Sequence, residues 1–127
     1  MNRTVVDSSA VLALLKGEVG GAEAASLIAG GLISSVNACE VVGKLLDAAV
    51  PIEAAREALS LLSLTVVSFT EDVAYSAAEL RGKTRSLGLS LGDHACLALA
   101  ATEGCDVLTA DRAWQALDIG VAIRLIR

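Results

Sequence analysis

Residues 88–111 have the sequence GLSLGDHACLALAATEGCDVLTAD, and this stretch decides the kind of fold. Its apolar residues from about Leu91 to Glu103 predict a helix that ends at Gly104, because glycine readily adopts the left-handed conformation that follows helices. The segment from Val107 to Thr109 predicts a short buried strand directly after that helix. A helix followed at once by a strand is the unit from which parallel sheets with helical crossovers are built.

The rest of the chain repeats this alternation. Further strands are predicted at residues 3–6, 32–34, 64–69 and 121–126. Further helices are predicted at about residues 7–15, 21–29, 36–48, 71–87 and 111–117, and another is predicted to start at Pro51. Strands alternating with helices predict an α/β fold of three layers, in which a short, mostly parallel central sheet is flanked by helices. We find no internal repeat and no low-complexity linker, so residues 1–127 are expected to form a single domain.

Composition favours one compact domain that stays in the cytoplasm. The 127 residues are 54% hydrophobic and 20% charged, which is enough apolar content for a real core. No stretch reaches the roughly 18 uninterrupted apolar residues of a membrane span. Asp7 interrupts the N-terminal apolar run and no cleavage site follows it, so a signal peptide is not expected.

Three cysteines, Cys39, Cys96 and Cys105, occur in apolar surroundings without CxxC spacing. An odd number of such cysteines is typical of reduced thiols, and we expect all three to be buried in the core. The pattern does not favour disulfides or a zinc site.

The net charge of -5 argues against a broad electrostatic surface for nucleic acid, because such binding depends on Lys and Arg. Acidic side chains can nevertheless be concentrated in one part of the protein. If four acids share one site with a divalent ion, eleven acids and ten basic residues remain on the rest of the chain. Acidity therefore does not exclude RNA or DNA.

Four acids stand where a strand-like run gives way to a helix-like run: Asp7, Glu40, Asp93 and Asp111. The carboxyl ends of parallel strands lie along one edge of a sheet, so these side chains are expected to converge there. Two carboxylates about 4 Å apart repel by roughly 4 kcal/mol at an effective dielectric near 20. A divalent cation removes that repulsion, and an all-oxygen site selects Mg²⁺ or Mn²⁺ over Zn²⁺.

Each acid also has a structural explanation, because a carboxylate at the start of a helix caps free amides. Ser90 to Asp93 and Asn37 to Glu40 both have the spacing of a capping box, and Asp7 and Asp111 could each be an N-cap residue.

Four segments together resemble one protein family: VVDSSAVLALL (5–15), SSVNACEVVGKL (34–45), GLSLGDHACLALA (88–100) and VLTADRAW (107–114). They are similar to the PIN-domain ribonucleases, and especially to the VapC toxins of toxin-antitoxin modules. By that resemblance, the family's metal-binding acids match Asp7, Glu40, Asp93 and Asp111. Ser9 matches the hydroxyl residue beside the first acid, and Thr109 is expected to help orient the carboxylates.

The resemblance implies an endonuclease that uses Mg²⁺ or Mn²⁺ to hydrolyse RNA, leaving a 5′-phosphate and a 3′-hydroxyl. It also implies a homodimer and a small antitoxin that covers an apolar groove and blocks the acids. The helices near residues 10–15, 22–29 and 52–62 carry enough apolar side chains to form such a groove. The antitoxin is expected to place a Lys or Arg against the acid cluster.

The best candidates for contacts with RNA phosphates are Arg112 beside the last acid and Arg81, Lys83 and Arg85, although a solvated helix face explains the last three equally simply. Lys44, one turn after Glu40, is expected either to pair with it or to contact substrate.

His94 and Cys96 follow Asp93 closely but are poor candidates for chemistry. Adjacent residues on a helix point about 100° apart, which turns His94 away from the acids, and no base partner activates Cys96. Aromatic residues form only 2% of the chain, so a base-stacking platform is not expected.

Three alternative functions remain open. A receiver-like phosphoacceptor domain also puts acids at strand ends, but it requires an acid pair on the first strand and a late lysine, whereas VAIRLIR offers only Arg124 and Arg127. An inactive PIN-like binding module is the second alternative. A PIN nuclease that processes RNA without an antitoxin is the third.

Overall fold

The computed structural model describes residues 3–126. Of the two arginines in VAIRLIR, Arg124 is therefore described and Arg127 lies outside the described residues. The strands are β1 (Thr4–Val6), β2 (Leu32–Ser34), β3 (Thr65–Val67), β4 (Asp106–Thr109) and β5 (Ile123–Leu125). The α-helices are α1 (Ser8–Leu15), α2 (Gly21–Ile28), α3 (Ser35–Asp47), α4 (Ile52–Ser60), α5 (Glu71–Glu79), α6 (Arg81–Thr84) and α7 (Leu91–Glu103). Two short 3₁₀ helices cover Arg85–Leu87 and Arg112–Ala116.

The five strands form one sheet in the order β3-β2-β1-β4-β5, and every described pair is parallel. The chain therefore starts in the centre, builds outward through β2 and β3, and then crosses to the other side of β1. In the register of β1 against β4, Val6 lies opposite Leu108. The boundary between β1 and β4 is the point where the strand order reverses, and such switch points are the usual ligand sites of open α/β sheets.

Helices cover both faces of this sheet, which confirms the three-layer α/β architecture. Successive strand residues point to opposite faces, so Val5 and Val6 enter two different cores. Val6 packs on one face with Val11, Ile28, Val41 and Leu108, and Val5 packs on the other face with Leu32, Leu97, Val107 and Trp114. Helix α7 is buried along most of its length against this second core, and so it holds Asp93 close to the sheet.

Two predicted helices differ from the structure. The helix expected over residues 71–87 is broken into α5, α6 and a 3₁₀ turn, because the buried Thr84 side chain donates a hydrogen bond to the Leu80 carbonyl and competes with the helical pattern. The last predicted helix is instead the 3₁₀ turn Arg112–Ala116, which is held by the buried Trp114.

The prediction that all three cysteines are buried is wrong for two of them. Cys96 is fully buried on α7, but Cys39 is exposed on α3 and Cys105 is only partly buried beside β4. Apolar neighbours in sequence misled the prediction, because the α3 position of Cys39 faces solvent.

Among residues 3–126, no helix is both long enough and apolar enough to cross a membrane.

Helices α1 and α2 approach each other closely at Gly21. A Cβ atom at Gly21 would lie 2.5 Å from the Ala13 carbonyl oxygen and 2.8 Å from Leu14 Cα, and both of these are backbone atoms. We expect Gly21→Ala to lower the free energy of unfolding by about 1–3 kcal/mol, because backbone must move to admit the methyl group.

Gly43→Ala is the matched control, since Gly43 lies inside α3 and has open space around its Cα. This change should raise the free energy of unfolding by about 0.5–1 kcal/mol, through helix propensity alone. Urea denaturation of both variants measures the difference, and equal effects of the same sign would contradict the close packing of α1 on α2.

Candidate functional site

Asp7 occupies the centre of the sheet, directly after β1. Its backbone N–H donates to the Leu108 carbonyl at 2.9 Å, which continues the pairing of β1 with β4 by one residue. Asp7 is also the N-cap residue of α1, but its side chain caps no amide there. The carboxylate therefore lies at the switch point of the sheet for a reason other than helix capping.

The Asp7 carboxylate is buried, with only 3% of the residue exposed. Its Oδ2 accepts hydrogen bonds from the hydroxyls of Ser9, at 2.6 Å, and Thr109, at 2.9 Å. These hydroxyls in turn accept the backbone N–H groups of Ala110 and Asp111, which directs their own hydrogens towards Asp7. The structure thus brings the two predicted orienting hydroxyls, Ser9 and Thr109, onto the same oxygen of the first acid.

The other oxygen of Asp7, Oδ1, is buried and has no hydrogen-bond partner among residues 3–126. Burial raises the pKa of Asp7 from its ordinary value of 3.8; the Ser9 and Thr109 hydroxyls lower this pKa, and the charges of Asp93 and Glu40 raise it. A buried oxygen without a donor, next to two further carboxylates, is a polar group whose natural partner is a cation.

Glu40 is held beside Asp7 by contacts from three different segments. Its Oε1 accepts hydrogen bonds from the Ser8 hydroxyl and from Asn37 Nδ2, both at 3.0 Å. Its carboxylate also packs directly on Gly92, so closely that a Cβ atom at Gly92 would overlap it. Asn37 is buried and donates a second hydrogen bond to the Gly92 carbonyl at 3.1 Å, so it ties Glu40 on α3 to the start of α7.

The roles of Ser8, Asn37 and Gly92 were not predicted from the sequence. The predicted capping box of Asn37 and Glu40 is wrong, because the N-cap of α3 is Ser34 and both residues lie inside the helix. Their spacing of three still carried the correct signal, since residues at i and i+3 lie on one side of a helix. Gly92 gave no local signal, because its contact with Glu40 spans 52 positions in the sequence.

Asp93 forms the capping box that its spacing predicts. The Asp93 N–H donates to Ser90 Oγ at 3.1 Å, and the Ser90 N–H donates to Asp93 Oδ2 at 2.9 Å. Asp93 is only partly buried, and its charge acts on Asp7. It therefore combines capping of α7 with a position beside the other two acids.

Asp111 stands apart from these three acids. Its carboxylate is exposed and accepts the Ala113 N–H at 3.0 Å, which caps the following 3₁₀ turn. Its backbone N–H reaches the Asp7 network through Thr109. The structure thus brings Asp7, Glu40 and Asp93 together and leaves the side chain of Asp111 at the rim, next to the exposed Arg112.

The carboxylate oxygens of Asp7, Glu40 and Asp93 are chemically suited to a divalent metal ion, but their side chains are not oriented to hold one. Within residues 3–126, no three His, Cys, Asp or Glu side chains are arranged to hold an ion. The reason is local, because Glu40 faces Ser8 and Asn37, while Asp93 and Asp111 face backbone amides. Asp7 Oδ1 is the buried donor atom that such an ion would satisfy, and carboxylate oxygens are the ligands that Mg²⁺ and Mn²⁺ prefer.

Cys96 lies near the three acids but has no chemical role of its own. Burial raises the pKa of the Cys96 thiol well above its ordinary value of 9.0, and the charges of Asp7, Asp93 and Glu40 raise it further. A thiol that stays protonated is a poor nucleophile, so Cys96 serves packing.

His94 does not face the acids. Its Nδ1 contacts the Ser90 carbonyl at 2.8 Å and its Nε2 contacts Thr84 Oγ1 at 2.9 Å. Both nitrogens are thus engaged elsewhere, as expected for a residue that takes no part in acid-base chemistry at the cluster.

Three of the predicted basic residues line two separate concave sites. Arg81 and Arg85 are exposed and line a cavity of about 390 Å³ against α5 and the start of α7. Lys44 lines a separate groove of about 300 Å³ together with Glu40 and Asp47. Among the described residues, Glu40 takes its hydrogen bonds from Ser8 and Asn37 and forms none with Lys44, which leaves Lys44 at the rim.

The raised pKa of Asp7 predicts a specific pH dependence of stability. Asp7 holds its proton more tightly in the folded protein than in the unfolded chain, where the ordinary value of 3.8 applies. The stability that this proton contributes is fully present below pH 3.8 and is lost as the pH rises through the raised folded pKa. Asp7→Asn, which cannot ionise, should therefore stabilise the protein more at pH 7 than at pH 4.

Thermal melting in EDTA at both pH values, with Asp118→Asn as the exposed control, measures this difference. The same shift in Tm at pH 4 and pH 7 for Asp7→Asn would contradict a desolvated carboxylate at this position.

Several solved structures of known proteins share the fold of this chain. The chain has the fold of a toxin-antitoxin complex protein from Klebsiella pneumoniae (TM-score 0.74, 19% identity, 94% of this chain and 95% of that chain covered). It also resembles VapC20 from Mycobacterium tuberculosis, a Sarcin-Ricin loop cleaving toxin (TM-score 0.71, 18% identity, 94% and 98% covered). VapBC2 from Rickettsia felis, solved with a promoter DNA fragment, is similar as well (TM-score 0.73, 16% identity, 96% and 97% covered).

These identities are low enough that the structures establish the fold alone, and no curated protein sequence matches the chain significantly. The sequence model of the PIN domain, however, matches residues 4–120. That range includes all four acids and nearly the whole sheet. The chain therefore belongs to the PIN-domain family.

Proposed function

We propose that this chain is an endoribonuclease that depends on Mg²⁺ or Mn²⁺ and acts as the toxin of a toxin-antitoxin pair. The observation that carries the proposal is the buried Asp7 carboxylate at the switch point of the sheet. One of its oxygens has no donor among the described residues, and two further acids lie beside it. Asp7, Glu40 and Asp93 would hold the ion, and Asp111 would complete the set from the rim.

The arrangement of the acids supports metal binding over helix capping alone. Capping accounts for the orientation of Asp93 and Asp111, but the side chains of Asp7 and Glu40 accept from side-chain donors and not from helix N-termini. Burial raises the pKa of Asp7, and the charges of Asp93 and Glu40 raise it further, so an ionised Asp7 carries a cost that a cation would relieve.

The residues around the acids would have separate roles in phosphodiester hydrolysis. Ser9 and Thr109 fix Asp7 through Oδ2 and leave Oδ1 for the ion, while Ser8 and Asn37 fix Glu40. A bound divalent ion supplies positive charge for the phosphate oxygens and makes water at the site more acidic. A water oxygen bonds to phosphorus and the water gives up a proton. The bond from phosphorus to the 3′ oxygen breaks, and that oxygen takes up a proton and leaves as a hydroxyl. The products are a 5′-phosphate and a 3′-hydroxyl.

The antitoxin would bind the groove lined by Ser8, Leu12, Glu40, Lys44 and Asp47. This groove opens directly onto Glu40, so a partner seated there would reach the acids with a basic side chain. Nearby helices leave Leu46, Ile52 and Leu61 exposed, which are apolar groups that a partner would cover. The resemblance to VapC toxins adds a homodimer to the proposal.

Cleavage of RNA tests the proposal directly. The purified chain, incubated with structured RNA and Mg²⁺ or Mn²⁺, should yield discrete 5′-phosphorylated fragments on a sequencing gel. EDTA and Asp93→Asn should each abolish them, because asparagine keeps the capping geometry but loses the charge. Asp72→Asn, at another exposed helix start, is the control that should cleave normally. Cleavage that persists in EDTA would refute the metal requirement.

The variant Gly92→Ala distinguishes acids that bind a metal ion from acids that only cap helices. The added methyl group would overlap the Glu40 carboxylate, which is the flexible end of its side chain and can move away at little cost in stability. We expect Tm to change little while Mn²⁺ affinity, measured by calorimetry, falls about 10–100-fold, as is usual when the support of a ligand is lost.

Gly43→Ala is the control for adding a methyl group in a helix without touching Glu40. Unchanged Mn²⁺ affinity in Gly92→Ala would show that Glu40 is not a ligand.

A further inference from the structure

We propose that the cavity between α5, α6 and the start of α7 binds one nucleotide of the substrate strand, with the base in its apolar part and the phosphate at Arg81 and Arg85. This inference rests on the proposed function and names the part of the RNA that lies next to the acid cluster.

The size and lining of the cavity suit a nucleotide. Its volume is about 390 Å³, within the range of small-molecule sites. One wall is apolar and is formed by Ala74 and Ala78 of α5 together with Phe69 and Leu89. Proteins commonly bind unpaired bases by stacking them on aromatic rings or guanidinium planes, and the lining of this cavity includes both kinds of group.

The charge of the cavity is opposite to that of the whole chain. The net charge of the protein is -5, yet none of the described residues that line this cavity is acidic, and two of them are arginines. The groove at Lys44, in contrast, includes Glu40 and Asp47. Arginine binds phosphate through paired hydrogen bonds, so Arg81 and Arg85 suit this cavity to an anion.

The cavity and the acid cluster share the first turn of α7. His94 lines the cavity, and its ring is held by Thr84 and by the Ser90 carbonyl. Ser90 also forms the capping box with Asp93, one of the clustered acids. A strand whose phosphate lies at the acids would therefore have a neighbouring nucleotide within reach of the cavity.

The break in the helix predicted over residues 71–87 helps to form this cavity. Thr84 is buried, donates to the Leu80 carbonyl, and contacts His94, so the chain turns between α5 and α7 instead of continuing as one helix. Arg81 and Arg85 lie within this turning segment and both line the cavity, whereas Lys83 between them does not. Lys83 is thus a natural control for charge in the same segment.

Binding of adenosine 5′-monophosphate (AMP), followed by NMR with ¹⁵N-labelled protein in EDTA, tests the inference without requiring metal or cleavage. We expect AMP to shift amide signals of residues 74–94, and inorganic phosphate to shift fewer of them. Arg81→Gln and Arg85→Gln should each weaken AMP binding about tenfold, as loss of a charge-assisted hydrogen bond does. Lys83→Gln should leave it unchanged, and Ala78→Trp should block the apolar part.

The alternative occupants give different results. If AMP shifts none of these signals, or if Lys83→Gln weakens AMP binding as much as Arg85→Gln, the inference is overturned. Shifts of the same signals on dilution of the protein alone, with no response to AMP, would assign the cavity to a second copy of the chain and would also overturn it.

Cleavage assays test the nucleotide site separately from the proposed nuclease activity. RNA lacking one base beside the cut site should be cleaved about tenfold more slowly by the unchanged protein, and Ala78→Trp should show no such difference. Normal cleavage with no sensitivity to the missing base would refute the nucleotide site and leave the nuclease intact. AMP binding without any RNA cleavage would support the cavity and refute the nuclease.

Discussion

Burial of the Asp7 carboxylate between β1 and β4 is the constraint on which the rest of the site depends. A carboxylate that is only 3% exposed requires compensation, and the protein supplies it through two hydroxyls on one oxygen. Those hydroxyls come from α1 and β4, so the site forms only when the sheet is paired correctly. The second oxygen has no donor in the part of the chain that the structure describes, and in our proposal this gives the site its affinity for positive charge.

Helix capping and metal binding are not competing explanations for these acids. Asp93 closes a capping box and still contributes its charge to the cluster, because the first turn of a helix that starts at a strand end lies at the edge of the sheet. Its hydrogen bonds with Ser90 also hold the carboxylate in place. Glu40 is different, since it lies inside α3 and depends on Asn37 and Gly92 for its position. It is therefore the acid whose location says most about function.

The order of strands and helices could be predicted because most elements have an apolar run that ends at a glycine or a capping residue. Two elements differed for separate reasons: the Thr84 side chain competes with the backbone in the segment 71–87, and the buried Trp114 holds a 3₁₀ turn after Asp111. The spacing of Asn37 and Glu40 was noticed but assigned to a capping box, since a spacing of three does not reveal where a helix starts. Burial of Cys39 was also wrongly expected, because local hydrophobicity does not determine which face of α3 is covered.

The sequence by itself determined the α/β architecture, the family and the positions of the four acids, because hydrophobic periodicity and residues at strand ends are local properties of the chain. Only the tertiary structure decided which acids meet, how each is held and where the arginines lie. Glu40 rests on Gly92, and Thr109 donates to Asp7 across 102 positions, so neither contact leaves a local trace. Separations of that kind are set by strand order and helix packing, which no short stretch of residues encodes.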